Sequence, residues 1–202
     1  MTKPKQLGRR ELLRIGVGGM TVIGAVGVMS LPAHAAPTKQ AVKPPAPNIN
    51  GRINPNLREV ALINLHSGES FKGVYCADGQ HHPEALAQIA AVMRDHQSGS
   101  TREIHPDLID LLAKLQSRLN VSTPIQIISG YRTVETNEML ALASRGVARN
   151  SYHIDGMAAD IRVPGRGLRQ VRDAAWNMRT GGVGYYARSN FVHVDVGPVR
   201  RW

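Results

Sequence analysis

The hydrophobic period of this chain changes from two to 3.6 and back, and the order of those changes limits its fold more than any other feature. Arg58 to Asn64 alternates, with Val60, Leu62 and Asn64 against Ala61 and Ile63, as a half-buried strand requires. Ser67-Gly68-Glu69 supplies a turn, and Phe71 to Tyr75 returns as the second strand of a hairpin. From Pro83 the period lengthens: Leu86, Ile89, Ala90 and Met93 fall on one helical face, with Pro83 in the first turn. Leu108, Leu111, Leu112, Leu115 and Leu119 repeat that spacing behind Pro106 and Asp107. Pro124 precedes the short apolar strand Ile125-Gln126-Ile127-Ile128-Ser129, and a third helix is expected from about Val134 to Ser144, before Gly146. Ala159, Ile161 and Val163 then alternate with Ala158, Asp160 and Arg162, which puts Asp160 on a strand. Leu168, Val171, Ala175 and Met178 mark a fourth helix, stopped by Gly181-Gly182. Val183 to Tyr186 and Phe191 to Val196 close the chain as a hairpin. Strands, then helices, then strands, without βαβ alternation, predict an α+β fold with a mainly antiparallel sheet and flanking helices.

That pattern begins only near residue 57. Residues 1–35 read as a targeting segment: a basic start, an apolar run from Ile15 to Leu31, then Ala33-His34-Ala35 as a small-x-small cleavage site. Arg9-Arg10-Glu11-Leu12-Leu13 and the glycine-rich, weakly apolar run fit a twin-arginine signal. An ordinary signal with two chance arginines and an uncleaved anchor are the alternatives. Residues 36–56, with Pro37, Pro44, Pro45, Pro47 and Pro55, read as a semi-extended linker, leaving 57–202 as the folded domain. Lys3, Lys5, Arg9, Arg10 and Arg14 against Glu11 put +4 of the net +10 in residues 1–35, so the rest carries +6. A basic surface suits nucleic acid, anionic lipid or an anionic wall polymer. No basic run is interleaved with aromatics and no zinc-finger spacing occurs, which argues against nucleic acid. Cys76 is the single cysteine, so no intrachain disulfide forms and the fold rests on its core.

The chemistry gathers in two stretches. Ser151-Tyr152-His153-Ile154-Asp155-Gly156-Met157-Ala158-Ala159-Asp160 holds an imidazole in the polar entry to a strand and a carboxylate on it. Phe191-Val192-His193-Val194-Asp195-Val196 places Val192, Val194 and Val196 on one face and Phe191, His193 and Asp195 on the other. His193 and Asp195 then stand about 7 Å apart along the strand. His153, Asp160 and His193 supply two imidazoles and one carboxylate, a set that suits a zinc ion with a fourth position left for water. Eight histidines can also produce such a pair by chance, so spacing alone leaves both readings open.

The wider pattern, Ser151-x-His153-x-x-Gly156-x-Ala158-x-Asp160 followed by a strand histidine, resembles the zinc D-alanyl-D-alanine carboxypeptidases, dipeptidases and murein endopeptidases, which share the hedgehog/DD-peptidase fold. Its YcbK-like branch is the nearest match, through Asn64-Leu65-His66-Ser67-Gly68-Glu69, Gly181-Gly182-Val183-Gly184-Tyr185-Tyr186 and Arg200-Arg201-Trp202. The resemblance implies zinc ligands at His153, Asp160 and His193. It also makes Ile127-Ile128-Ser129-Gly130-Tyr131-Arg132 the segment whose arginine contacts substrate and steadies the oxyanion. Asn190 departs from it, occupying a position where many relatives carry a glutamate base, and Phe191 occupies the position of the alternative histidine. Asp195 is the nearest remaining candidate for the base. A role in orienting a zinc-bound imidazole fits it equally.

The resemblance implies a periplasmic zinc metallopeptidase acting on peptidoglycan stem peptides or their cross-links, with no nucleic-acid partner and membrane contact only through the leader. A carboxypeptidase or dipeptidase of free wall peptides, and a zinc-containing wall-binding module without hydrolysis, are the alternatives; D,D and L,D bonds stay equally open. His81-His82 reads as a solvated loop and His66 as structural in its turn. Of Tyr185 and Tyr186, one is expected to pack and the other to line the cleft.

Overall fold

The computed structural model describes residues 56–144 and 147–202; the expected leader and, apart from Asn56, the expected linker lie outside the described residues. In chain order the described elements are β1 (Arg58–Asn64), β2 (Ser70–Ala77), β3 (Gln80–His81), α1 (Pro83–Val92), α2 (Pro106–Arg118), β4 (Ile125–Ser129), α3 (Val134–Ala143), β5 (Ala158–Arg162), α4 (Leu168–Trp176), β6 (Gly182–Tyr186), β7 (Phe191–Asp195) and β8 (Arg200–Arg201). The strands form one sheet in the order β3-β2-β1-β4-β5-β7-β6-β8. Only β1–β4 and β6–β8 pair in parallel. The fold is therefore α+β and mainly antiparallel, as its periodicity predicts.

Register divides the central sheet into two chemically different faces. Ile127 opposes Ile161, Ile161 opposes Val192, and Ala159 and Val183 both oppose Val194. Directly opposed side chains share a face, so these residues make one apolar surface. α2 lies against β1, α4 against β6 and β7, and the two helices touch. Their Leu108, Leu112, Leu115, Val171 and Ala175 bury that surface. Each leucine and valine among them contributes roughly 1.5–3 kcal/mol on full burial. The other face carries Asp160 opposite His193 and Ala158 opposite Asp195. A two-residue period thus spends one face on stability and leaves the other for chemistry.

Two short strands were not legible in the sequence. His81, expected in a solvated loop, sits on β3 opposite Cys76, with its ring 6.2 Å from that of Tyr75. His82 is the N-cap residue of α1. β3 and β8 are each two residues long, too short to show any period.

Asp95 ties the loop after α1 to the start of α3. Its buried carboxylate accepts hydrogen bonds from the backbone N–H groups of Gln97 (2.9 Å), Ser98 (3.4 Å) and Thr133 (3.0 Å). Thr133 directly follows Arg132 and caps α3 through its hydroxyl, so this carboxylate fixes the segment that carries Arg132. Burial opposes its ionisation, but the Thr136 hydroxyl and these three N–H groups outweigh burial and hold its pKa down to about 2. A carboxyl lowered in the fold adds stability above its unfolded pKa of about 3.9, and the gain is lost as pH falls toward the folded value. In urea unfolding, Asp95→Asn should therefore be less stable than wild type at neutral pH. The gap should close as pH falls from about 4 to about 2. A gap that stays constant across that window would remove the ionised clamp from the account.

Candidate metal centre

His153 reaches the sheet from an irregular turn, and the turn is built so that its ring has one orientation. Gly156 adopts φ +67°, and a Cβ there would lie 2.5 Å from the Glu103 carbonyl oxygen. Only glycine meets both demands, and its carbonyl in turn accepts from the N–H of His105, just ahead of α2 (3.0 Å). The His153 carbonyl accepts from the Arg132 N–H (3.1 Å), which ties the turn to the end of β4. Its ring is fully buried, with Nδ1 2.6 Å from the Gly130 carbonyl oxygen. A carbonyl can only accept, so Nδ1 carries the proton and Nε2 presents a lone pair.

His193 is oriented from the opposite side. Its Nε2 lies 3.0 Å from Asp195 Oδ2 and donates to it, leaving Nδ1 as the acceptor. That Nδ1 is 2.9 Å from Asp160 Oδ1 and 3.3 Å from His153 Nε2, and His153 Nε2 is 3.3 Å from the same Asp160 oxygen. One ligand atom from each of the three residues lies within 4.8 Å of the others, a group able to hold a metal ion. Two imidazole lone pairs and a carboxylate oxygen facing one another repel unless a cation lies among them. The donor set therefore fits a metal on its own chemistry.

The electrostatics agree. Burial pushes the His153 pKa down, which keeps it neutral as a ligand must be. For His193, burial also works downward, but the carboxylates of Asp160 and Asp195 outweigh it and raise the value. For Asp160, burial opposes ionisation, and the two imidazoles overcome it and hold the carboxyl well below its ordinary range. The rise at His193 favours its protonated form, so a metal would bind here in competition with a proton.

Around this group stand the other expected site residues. Arg132 is 8% exposed, with Nη2 3.6 Å from Asp160 Oδ2 and Nη1 3.4 Å from Asn137 Oδ1. Its Nε has no hydrogen-bond partner. Asp195 is fully buried. Its Oδ1 accepts from the N–H of Gly182 (3.1 Å), the N–H of Gly197 (2.9 Å) and Arg200 Nη1 (3.0 Å); its Oδ2 accepts from His193 and from Arg200 Nη2 (2.8 Å). Asn190 is exposed in the β6–β7 turn at φ +55°, and its carbonyl accepts from Arg162. Phe191 stacks on Tyr186. His66 stacks on His96, rings 3.9 Å apart, on the exposed turn after β1. Tyr185 packs against the core while Tyr186 stands on the opposite face with Gly184 and His193.

Reasoning from the sequence left Arg200 and Trp202 without a role. Arg200 neutralises Asp195, and the Trp202 ring lies 5.4 Å from that of His193. The available signal was Gly182-x-Gly184 on β6, two positions without side chains beside Asp195 and His193.

Known proteins carry the same arrangement of sequence. The family profile described as peptidoglycan L,D-endopeptidase MepK matches residues 52–202. The protein of that name from Escherichia coli strain K12 is 41% identical over 194 residues, 96% of each chain, and the one from Shigella flexneri matches equally. A probable peptidoglycan L,D-endopeptidase MepK from Haemophilus influenzae is 40% identical over 149 residues, 73% of this chain and 80% of the relative. The resemblance read from the histidine, aspartate and arginine motifs is borne out: the chain belongs to the peptidoglycan L,D-endopeptidase MepK family of M15 metallopeptidases.

Proposed function

We propose that the protein is a zinc-dependent murein endopeptidase that hydrolyses peptide bonds in peptidoglycan stem peptides or their cross-links. The observation that carries this reading is the convergence of His153 Nε2, Asp160 Oδ1 and His193 Nδ1, whose lone pairs face one another. These three would hold a zinc ion, which would supply Lewis acidity toward the scissile carbonyl and toward water. The bond cleaved is of the L,D type named for the relatives. Anionic stem peptides suit the +6 carried beyond residue 35. The protein works in the periplasm and is exported through the Arg9-Arg10 signal; replacing both arginines by lysine should leave precursor in the cytoplasm, and unchanged export would dismiss that route.

Arg132 meets the developing oxyanion. It is charged, buried and held by long contacts only, with Nε unpartnered, so its capacity to donate is reserved for substrate. Asp195 orients and does not act as the base. Five donors already occupy an oxygen pair that offers about four acceptor sites. Burial would raise its pKa, but His193, Arg200 and the Gly197 N–H reverse that and keep it low, which makes it a weak proton acceptor. Its contact with the N–H of His193 fixes which imidazole nitrogen faces the metal.

Three outcomes test this. Purified sacculi should yield new muropeptides with the protein and none with a chelator or with His193→Ala; release of free alanine alone would make it a carboxypeptidase, and pelleting without cleavage a binding module. Arg132→Ala should keep its zinc in metal analysis yet lose most turnover, because a transition-state contact is removed. Asp195→Asn should bind zinc roughly 10–100-fold more weakly and regain activity in excess metal. Full zinc affinity with abolished activity would restore Asp195 as the base.

A further inference from the structure

On the β6 side of His193 the sheet face carries aromatic side chains that the metal chemistry does not use. Trp202 lies against β6: its N–H donates to the Val183 carbonyl (3.2 Å), and its own carbonyl oxygen accepts from the Tyr185 N–H (3.0 Å). The indole folds back over Gly184, where a Cβ would stand 2.7 Å from the ring. Gly184 pairs directly with His193, so the missing side chain is what lets the indole lie beside a metal-binding residue. Arg200 stacks 5.0 Å from the indole centroid while it pairs with Asp195. The ring is thus pinned by backbone, cation and glycine, yet Trp202 remains 50% exposed. A large aromatic held in one place and left half in solvent, 5.4 Å from the His193 ring, is a preformed contact surface.

The indole also sets the chemistry of its neighbour. Trp202 Nε1 is 2.9 Å from the Tyr186 hydroxyl oxygen. An indole nitrogen can only donate, so the Tyr186 oxygen accepts and its own proton is left for another partner. Tyr186 is stacked on Phe191 with ring centroids 4.6 Å apart, which fixes the phenol ring. Its side chain stands on the same sheet face as His193 and within electrostatic reach of Arg132.

We propose that Tyr186 and Trp202 are substrate-positioning residues: the Tyr186 hydroxyl donates a hydrogen bond to a carbonyl or carboxylate oxygen of the bound stem peptide, and Trp202 orients that hydroxyl and packs its exposed face on the same peptide. This rests on the murein endopeptidase reading above. Peptide enters between two donors, the Arg132 guanidinium on the β4 side and the Tyr186 hydroxyl on the β6 side, with the metal-binding group between them.

The test uses a soluble cross-linked muropeptide prepared from sacculi, with the full chain loaded with zinc. Tyr186→Phe keeps the ring and removes only the donor. It should raise KM about 3–10-fold, the weight of one net hydrogen bond, with kcat within about twofold and zinc content unchanged. Trp202→Phe removes the orienting N–H and should raise KM in the same direction. An unchanged KM in both variants, or a loss of activity that tracks loss of zinc, overturns the proposal. A binding measurement separates it from the activity it rests on. Trp176 and Trp202 are the two tryptophans, so Trp176→Phe leaves Trp202 as the sole indole reporter. Its fluorescence should shift on adding the muropeptide, and adding Tyr186→Phe should weaken that binding 3–10-fold. If the Trp176→Phe protein binds with this shift but does not cleave, the endopeptidase reading fails while the positioning wall stands. If it cleaves without the shift, the wall fails alone.

Discussion

The antiparallel pairing of β5 with β7 is the constraint on which the rest of the site depends. It sets Asp160 directly opposite His193 and Ala158 opposite Asp195. Opposed side chains in such a pair stand about 4.5–5.5 Å apart at Cβ, the distance at which a carboxylate and an imidazole can share one cation. Ala158 adds no bulk beside Asp195. The register is itself locked from behind, because slipping by one residue would turn Ile161, Val192 and Val194 out of the core and Asp160 and His193 into it. Core packing is thus the force that holds Asp160 and His193 in register.

Around that pairing, two devices choose which nitrogen of each histidine is available. The Gly130 carbonyl accepts a hydrogen bond from the Nδ1–H of His153, and Asp195 accepts one from the Nε2–H of His193. The two imidazoles therefore present different nitrogens to the same point. Asp195 is itself a buried charge, which is tolerable only because Arg200 and two backbone N–H groups compensate it. The same arginine leans on Trp202, so one guanidinium connects the orientation of His193 to the indole beside it. Removing it would leave an uncompensated carboxylate beside the centre, and a loosened indole.

How much of this could be read from the sequence follows from where each contact lies along the chain. The strands holding Asp160 and His193 showed plainly, because a period of two survives on a strand packed on one face. β1 and β4 were placed residue for residue, and Pro83 and Pro106 marked the helix starts. His153 was visible only through the motif around it, since its turn has no period and its position depends on Gly156 meeting the backbone of Glu103. Asp195 lay open to two readings because its neighbours come from scattered places: the start of β6, the turn at Gly197 and the short β8. None of these is near it in any repeating pattern. Arg200 and Trp202 were legible as residues but not as contacts, for the same reason. Asn190, at the position where the resemblance expects a glutamate, lies in an exposed turn with its carbonyl accepting from Arg162.

The central claim is that one metal ion is held by His153, Asp160 and His193, with the two imidazoles turned in opposite senses. The most direct test is anomalous diffraction at the zinc edge from crystals of the zinc-loaded protein. The account predicts one strong peak per chain, bonded to His153 Nε2, to an Asp160 carboxylate oxygen and to His193 Nδ1, at roughly 2.0–2.2 Å, with Asp195 still on His193 Nε2. A peak bonded to Asp195, or to His193 through Nε2, or displaced from these three residues altogether, would contradict it.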